Sequence, residues 1–257
     1  LVEMTQADFS DIAYRVVGEA FAVYEELGTL FDEKVYSSAL AARVPEMQTE
    51  IQIDVCFRDF HKFYFIDALV AGGAPFEVKS VESLHCRHTN QLLNYLFLAH
   101  LGHGKVINFG PLGVDHKFVN TRLTQEDRKR FAVNDEQWSP TNGFVARHKA
   151  LFVEALRDWG TGLDRALYAQ VLLHFLGEKR RAMGAVDVYQ GGACIAQQTI
   201  PLCAERTTVR VTTFQGDNLR YSRELIRLAH ATNLEYVQWV NVAHDEVTFK
   251  TLDCSLF

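Results

Sequence analysis

Apolar residues near the start of the chain recur every three or four positions. Ile12, Val16, Ala20, Val23 and Leu27 share one face, which predicts an amphipathic helix over 7–27. Thr5 with Asp8 makes a capping start and Gly28 a stop. A shorter helix over 33–43 ends before Pro45. The pattern then becomes β-like in three runs, at 50–57, 63–70 and 75–81. A polar stretch at 58–62 separates the first two. Gly72-Gly73 between the second and third is a hairpin signal, because glycine accepts the positive φ of tight turns. A helix over 89–101 and a buried strand at 106–109 complete the series. Helix, three strands, helix, strand predicts an α/β sandwich.

Residues 122–145 are polar and irregular, with Arg128-Lys129-Arg130, Ser139-Pro140 and Asn142-Gly143, and read as a connection between domains 1–121 and 146–257. Beyond it the pattern predicts helices at 146–159 and 164–181 and strands at 185–190, 193–200 and 206–214. A helix at 218–231 and strands at 235–242 and 245–251 follow. The second half thus repeats the order of the first. At an offset of 130, Leu98-Ala99-His100 falls on Leu228-Ala229-His230, Ile107 on Val237, Phe109 on Trp239 and Thr121 on Thr251. Either the second half is a degenerate repeat of the first, or it is an unrelated α+β domain of similar order.

Composition narrows the class. The 257 residues are 48% hydrophobic and 23% charged, which excludes disordered, collagen-like and low-complexity chains. No apolar run reaches the ~18 residues of a membrane helix, and Leu1-Val2-Glu3-Met4 lacks a secretory pattern. The five cysteines are odd in number and never in a CxxC, which fits reduced thiols in a cytoplasmic protein. Charge is uneven: residues 1–121 hold 9 Lys and Arg against 16 Asp and Glu, whereas residues 122–257 hold 17 against 16. A pI near 5.9 argues against a coater of polyanions but leaves room for a local basic patch.

The chemistry concentrates in Asp67 and Glu77-Val78-Lys79. Alternation along a strand sends Glu77 and Lys79 to one face. Folding about Gly72-Gly73 brings Asp67 opposite residue 77 or 78. Two carboxylates and an ammonium meeting there would hold Mg²⁺ or Mn²⁺ through oxygen ligands. The lysine would position water and balance charge on a phosphoryl group in transfer. A surface salt bridge is the plainer reading of the triplet alone. The next helix places Gln91 and Tyr95 four apart on one face, where they would hold Lys79 or meet substrate.

These residues resemble the motifs of the PD-(D/E)xK nuclease superfamily, and Gln91-xxx-Tyr95 resembles the element of its RecB-like branch. The residues from Tyr14 to Gly28, then Phe31 to Tyr36, Phe76 to Val81, His88 to Leu96 and Ile107 to Gly110 look like the bacterial GxxExxY proteins. The likeness covers about residues 8–121. It implies a restriction-endonuclease-like αβββαβ core, a divalent cation, and a nucleic-acid partner, DNA ahead of RNA, with no membrane. It makes Asp67 and Glu77 metal ligands, Lys79 the catalytic lysine, Glu33 a further acidic ligand, and Gln91 and Tyr95 supports. The glycine that names the motif is Leu30 here, and Ile66 stands where a proline is common. The implied function is metal-dependent hydrolysis of phosphodiester bonds. The alternative is a non-catalytic nucleic-acid-binding or assembly protein on the same fold. A nucleotide-binding enzyme is disfavoured by the lack of a P-loop or GxGxxG.

Outside that cluster, His85-x-x-His88 has no third ligand at a fitting spacing; His88 either touches substrate or caps a helix. Arg220, Arg223 and Arg227 form a basic stripe on one helix face, suited to a phosphate backbone or merely solvated. Lys179-Arg180-Arg181 and Arg128-Lys129-Arg130 read as solvated ends, and Trp138, Trp159 and Trp239 as core ahead of base stacking. No acidic residue lies in 206–213, so a repeat there would have lost the chemistry and would serve substrate gripping or contact in a homodimer.

Overall fold

The computed structural model describes residues 1–141, 143–177, 183–216 and 218–255. The chain divides into two compact units, Leu1–Thr124 and Gln125–Phe257. Among the described residues no helix is long and apolar enough to cross a membrane.

The first unit runs α1 (Gln6–Leu27), α2 (Glu33–Arg43), β1 (Met47–Phe57), β2 (Phe60–Val70), β3 (Ala74–Lys79), α3 (Cys86–Ala99), β4 (His103–Gly110) and β5 (Gly113–Asn120). The five strands form one sheet in sequence order, antiparallel except for the β3–β4 pair. Thr5 caps α1 through its side chain, and Gly28 ends it at φ +69°. In the β2–β3 turn Gly72 has φ +69°, and a Cβ on Gly73 would stand 2.0 Å from the Val2 carbonyl oxygen. That close approach explains the second glycine. β3 is buried along its whole length because both faces are covered. Phe76 and Val78 pack with Phe9, Val16, Tyr36 and Leu40 of α1 and α2. The alternate residues Glu77 and Lys79 point to the other face, where Leu92, Tyr95 and Leu96 of α3 pack.

β5 escaped the sequence pattern. Its residues are mostly exposed, and pairing with β4 rather than burial makes it a strand.

The second unit contains α4 (Gln125–Lys129), β6 (Ala132–Gln137), α5 (Ala146–Trp159), α6 (Arg165–Phe175), β7 (Met183–Gln190), β8 (Ala193–Ala204), β9 (Thr207–Thr212), α7 (Leu219–Ala231), β10 (Tyr236–Val242) and β11 (Glu246–Asp253). The segment expected to be a connection is therefore, from Gln125 onward, built into this unit. β6 adds in parallel to the edge strand β11. Arg128, expected to be solvated, is 3% exposed and donates to the Thr161 carbonyl at 3.0 Å, while Thr161 Oγ1 donates back to the Arg128 carbonyl at 3.1 Å. The predicted helix over 164–181 is α6 as far as Phe175; Lys179-Arg180-Arg181 lie outside the described residues.

From α5 to β11 the second unit repeats the element order of the first, and within the order β7-β8-β9-β10-β11 the β9–β10 pair is parallel and the others antiparallel, with β6 added outside β11. The registers coincide at an offset of 133, not the 130 suggested by short sequence similarity. Phe76 faces Lys105 as Val209 faces Gln238, and His103 faces Asn120 as Tyr236 faces Asp253. His100 and Asn233, both at positive φ, end α3 and α7. In the next residues, Leu101 donates to the Leu96 carbonyl and Leu234 to the Ala229 carbonyl, each at 2.9 Å.

Candidate active site

The site lies at the carboxyl end of β3, where the β2–β3 ladder stops. Its last pair is Ala68 with Phe76. One step further, Asp67 takes over from the backbone: its Oδ2 accepts the Val78 N–H at 2.9 Å. A carboxylate is thereby held against the strand that carries Glu77 and Lys79.

Lys79 Nζ sits among three carboxylates. It is 2.6 Å from Glu77 Oε1, 3.4 Å from Glu33 Oε2 and 3.7 Å from Asp67 Oδ2. Glu33 arrives from the first turn of α2, and its Oε1 also accepts the Ser80 N–H at 3.4 Å. Leu30, in the loop before Glu33, is 94% exposed and has no positive φ. Tyr36 fixes this loop, donating to the Gly28 carbonyl at 2.8 Å and accepting the Phe31 N–H at 3.3 Å. Ser80 Oγ adds a bond to the Phe31 carbonyl at 3.0 Å.

Burial dominates the electrostatics. Glu77 is wholly buried, and desolvation, then the Asp67 charge, push its carboxyl up to about 8. Asp67 is also raised, chiefly by burial. Burial pulls Lys79 down, but Glu77, Asp67 and Glu33 outweigh it and leave the ammonium above its ordinary range. Glu77 Oε2 is buried with no hydrogen-bond partner. Such an oxygen is costly unless something else is meant to meet it.

The donor chemistry fits a hard divalent cation: three carboxylates converge on one positive charge, and one oxygen is unspent. Among the described residues no three His, Cys, Asp or Glu side chains close on a metal position by themselves. The ammonium occupies the middle of the group.

α3 contributes at a distance. Gln91 Nε2 donates to the Tyr95 hydroxyl at 3.0 Å, as their four-residue spacing predicts, yet neither bonds to Lys79. Burial raises the Tyr95 phenol, with Glu77 and Asp67 adding to the effect. His88 locks the start of α3: its Nδ1 accepts the His85 N–H at 3.1 Å, and its Nε2 lies 3.0 Å from Arg87 Nε. Of its two expected roles the geometry provides the capping one. The bend after β3 is tied by a residue whose role the sequence left unread, although it stands in the family-like segment Ile107 to Gly110. Asn108 accepts the Val81 N–H and donates to the Val81 carbonyl, both at 2.9 Å.

In the second unit, Arg220, Arg223 and Arg227 are exposed on α7, and Arg227 pairs with Glu224 at 2.8 Å. Trp159 and Trp239 are core residues, 8% and 4% exposed. Lys149 stands over the Trp138 ring, 4.2 Å from its centroid.

No curated protein matches the chain. A solved structure titled "Crystal structure of SSO0001" aligns at 16% identity and a TM-score of 0.31 over 47% of this chain; the chain spans 61% of that protein's length. The first unit has a mixed α/β fold consistent with the restriction-endonuclease-like architecture. Residues 10–120, which contain Glu33, Asp67, Glu77, Lys79, Gln91 and Tyr95, match the model of the PD-(D/E)XK nuclease superfamily.

Proposed function

We propose that the first unit is a Mg²⁺- or Mn²⁺-dependent nuclease of the GxxExxY type that hydrolyses phosphodiester bonds in DNA or RNA. The observation that carries this reading is the convergence of Glu33, Asp67 and Glu77 on Lys79 Nζ, with Glu77 Oε2 left unpaired in the interior. Asp67 and Glu77 would hold the cation, with Glu33 completing the acidic wall. When bound, the metal supplies Lewis acidity toward the scissile phosphate and an acidified water.

The rest falls to the chain's own groups. Lys79, kept protonated by its neighbours, donates hydrogen bonds and sets charge against the phosphoryl oxygens rather than taking a proton. The Val78 N–H fixes Asp67, and Ser80 and Tyr36 fix the loop that carries Glu33. Tyr95 and Gln91, bonded to each other on α3, would support the site from that side. The Arg220, Arg223 and Arg227 face would take substrate backbone.

The test incubates labelled single- and double-stranded DNA and RNA with Mg²⁺ or Mn²⁺. Cutting by wild type that is lost in Lys79→Ala and Asp67→Ala, with nucleic-acid binding retained, supports the proposal. Binding without cleavage of any substrate rejects it in favour of a non-catalytic binding protein.

A further inference from the structure

The equivalence of the two units identifies which residues of the second replace the catalytic set. Two hydrogen-bonded devices anchor the comparison. Tyr168 donates to the Gly160 carbonyl at 2.8 Å and accepts the Leu163 N–H at 2.9 Å, as Tyr36 does with Gly28 and Phe31. Asn241 accepts the Phe214 N–H at 2.9 Å and donates to the Phe214 carbonyl at 3.0 Å, as Asn108 does with Val81. The first device places Arg165, first residue of α6, where Glu33 opens α2. The strand register places Arg210 at Glu77, Thr212 at Lys79 and Ile200 at Asp67.

The exchange inverts the charge of the site. Thr212 is spent in the interior, donating to Asn241 Oδ1 at 2.8 Å and accepting from Trp239 Nε1 at 2.8 Å. Ile200 is buried. Arg165 is exposed and Arg210 partly buried, and among the described residues neither guanidinium has an ion pair or a hydrogen bond. Burial depresses the Arg210 guanidinium; Tyr221 works against that, and the charge of Arg165 adds to it. Two like charges held within range of each other, one of them partly desolvated and neither neutralised, are unfavourable until an anion joins them. Arginine's planar fork suits a phosphoryl group in particular.

We infer that the second unit is a repeat of the first whose carboxylate pocket has become a cationic one, and that Arg165 and Arg210 grip a phosphodiester group of the nucleic acid. The inference rests on the proposed nucleic-acid substrate, but not on cleavage.

The test uses the full chain in EDTA, so that nothing is cut. Anisotropy of a fluorescein-labelled DNA oligonucleotide is titrated across a NaCl series for wild type, Arg165→Ala, Arg210→Gln, the double variant and Arg210→Lys. The double variant is expected to bind about tenfold or more weakly. Its plot of log affinity against log salt should flatten by about one unit, the contribution of one neutralised phosphate. Arg210→Lys should recover part of the loss. Arg165→Ala, at an exposed position, carries the test if Arg210→Gln fails to fold by circular dichroism. Unchanged affinity and slope in Arg165→Ala and in the double variant would overturn the inference. So would inorganic phosphate stabilising wild type but not the double variant while DNA binding stays equal, because the pocket would then serve free phosphate. If wild type cuts nothing yet the double variant loses DNA, this inference stands and the nuclease reading falls. If wild type cuts and the double variant binds DNA as well as wild type, only this inference falls.

Discussion

The two units share a plan and differ in its chemical filling. Both hang a central strand between an antiparallel partner on one side and a parallel partner on the other. Both tie the first loop with a tyrosine hydroxyl and the bend after the central strand with an asparagine amide. At the end of that strand one unit has three carboxylates around a lysine, and the other has two arginines, an isoleucine and a buried threonine. The fold is therefore specified by groups other than these ionic ones. Backbone register, apolar faces and two neutral side chains are enough to reproduce it.

The largest effect that should separate the units is catalytic. Lys79→Ala should reduce Mg²⁺-dependent cleavage about 10³-fold or more, read from initial rates on labelled substrate. Thr212→Ala, at the matching position, should leave the rate per bound substrate unchanged and instead cost about 1–3 kcal/mol of stability, because it strips a buried hydroxyl from Asn241 and Trp239. Equal losses of cleavage from both variants would refute the division of labour.

The next effect is a pH slope confined to the first unit. Glu77 is raised to about 8 in the folded state, and Asp67 is raised as well, so above the ordinary carboxyl range the native protein holds more protons than the unfolded chain. In metal-free protein, stability from Glu77 is fully present at low pH and falls as pH rises from its ordinary value to about 8, by up to about 1.4 kcal/mol per pH unit. Glu77→Gln should flatten that decline in a series of urea melts. Ile200 and Arg210 offer no counterpart in the second unit, and a slope that survives Glu77→Gln would place its origin elsewhere.

Smaller and deliberately equal effects are expected from the shared tyrosine device. Tyr36→Phe and Tyr168→Phe should each cost about 1–2 kcal/mol in the transition of their own unit. A loss in one unit and none in the other would break the equivalence. Leu30→Gly should change stability by no more than about 0.5 kcal/mol, since the side chain is in solvent and the backbone there needs no positive φ. Its cleavage rate should stay within about twofold of wild type; a large gain would show that a glycine at this position acts on the chemistry after all.

Legibility in the sequence followed the range of the forces involved. Local signals sufficed for α2 and α5, whose ends match the pattern, and for Asp67, Glu77 and Lys79, which a single hairpin brings together. Gln91 and Tyr95 met as their helical spacing required. Elements defined by distant partners were not visible. β5 and β6 are exposed edge strands recognisable only by what they pair with, and Arg128 looked solvated because its acceptor lies 33 residues away. Ser80, Tyr36 and Asn108 fell inside the family-like segments, but their individual roles could not be read there, since each is a bond to a carbonyl or amide brought near by the tertiary fold. His88 was ambiguous until the start of α3 was in place. The common element order of the two units was discernible, but the short similarity pointed to an offset of 130 where the strand pairing gives 133, because a few matched residues do not fix register and paired strands do.

The asparagine amide at the end of the central strand has one more implication. Asn108 and Asn241 hold the chain's turn without charge, so these bonds do not depend on which ionic groups lie beside them. Substituting glutamate at Arg165, aspartate at Ile200, glutamate at Arg210 and lysine at Thr212 should then transplant the first unit's ionic group into the second. A dication-dependent rise in the melting temperature of the second unit would show that the transplant had taken.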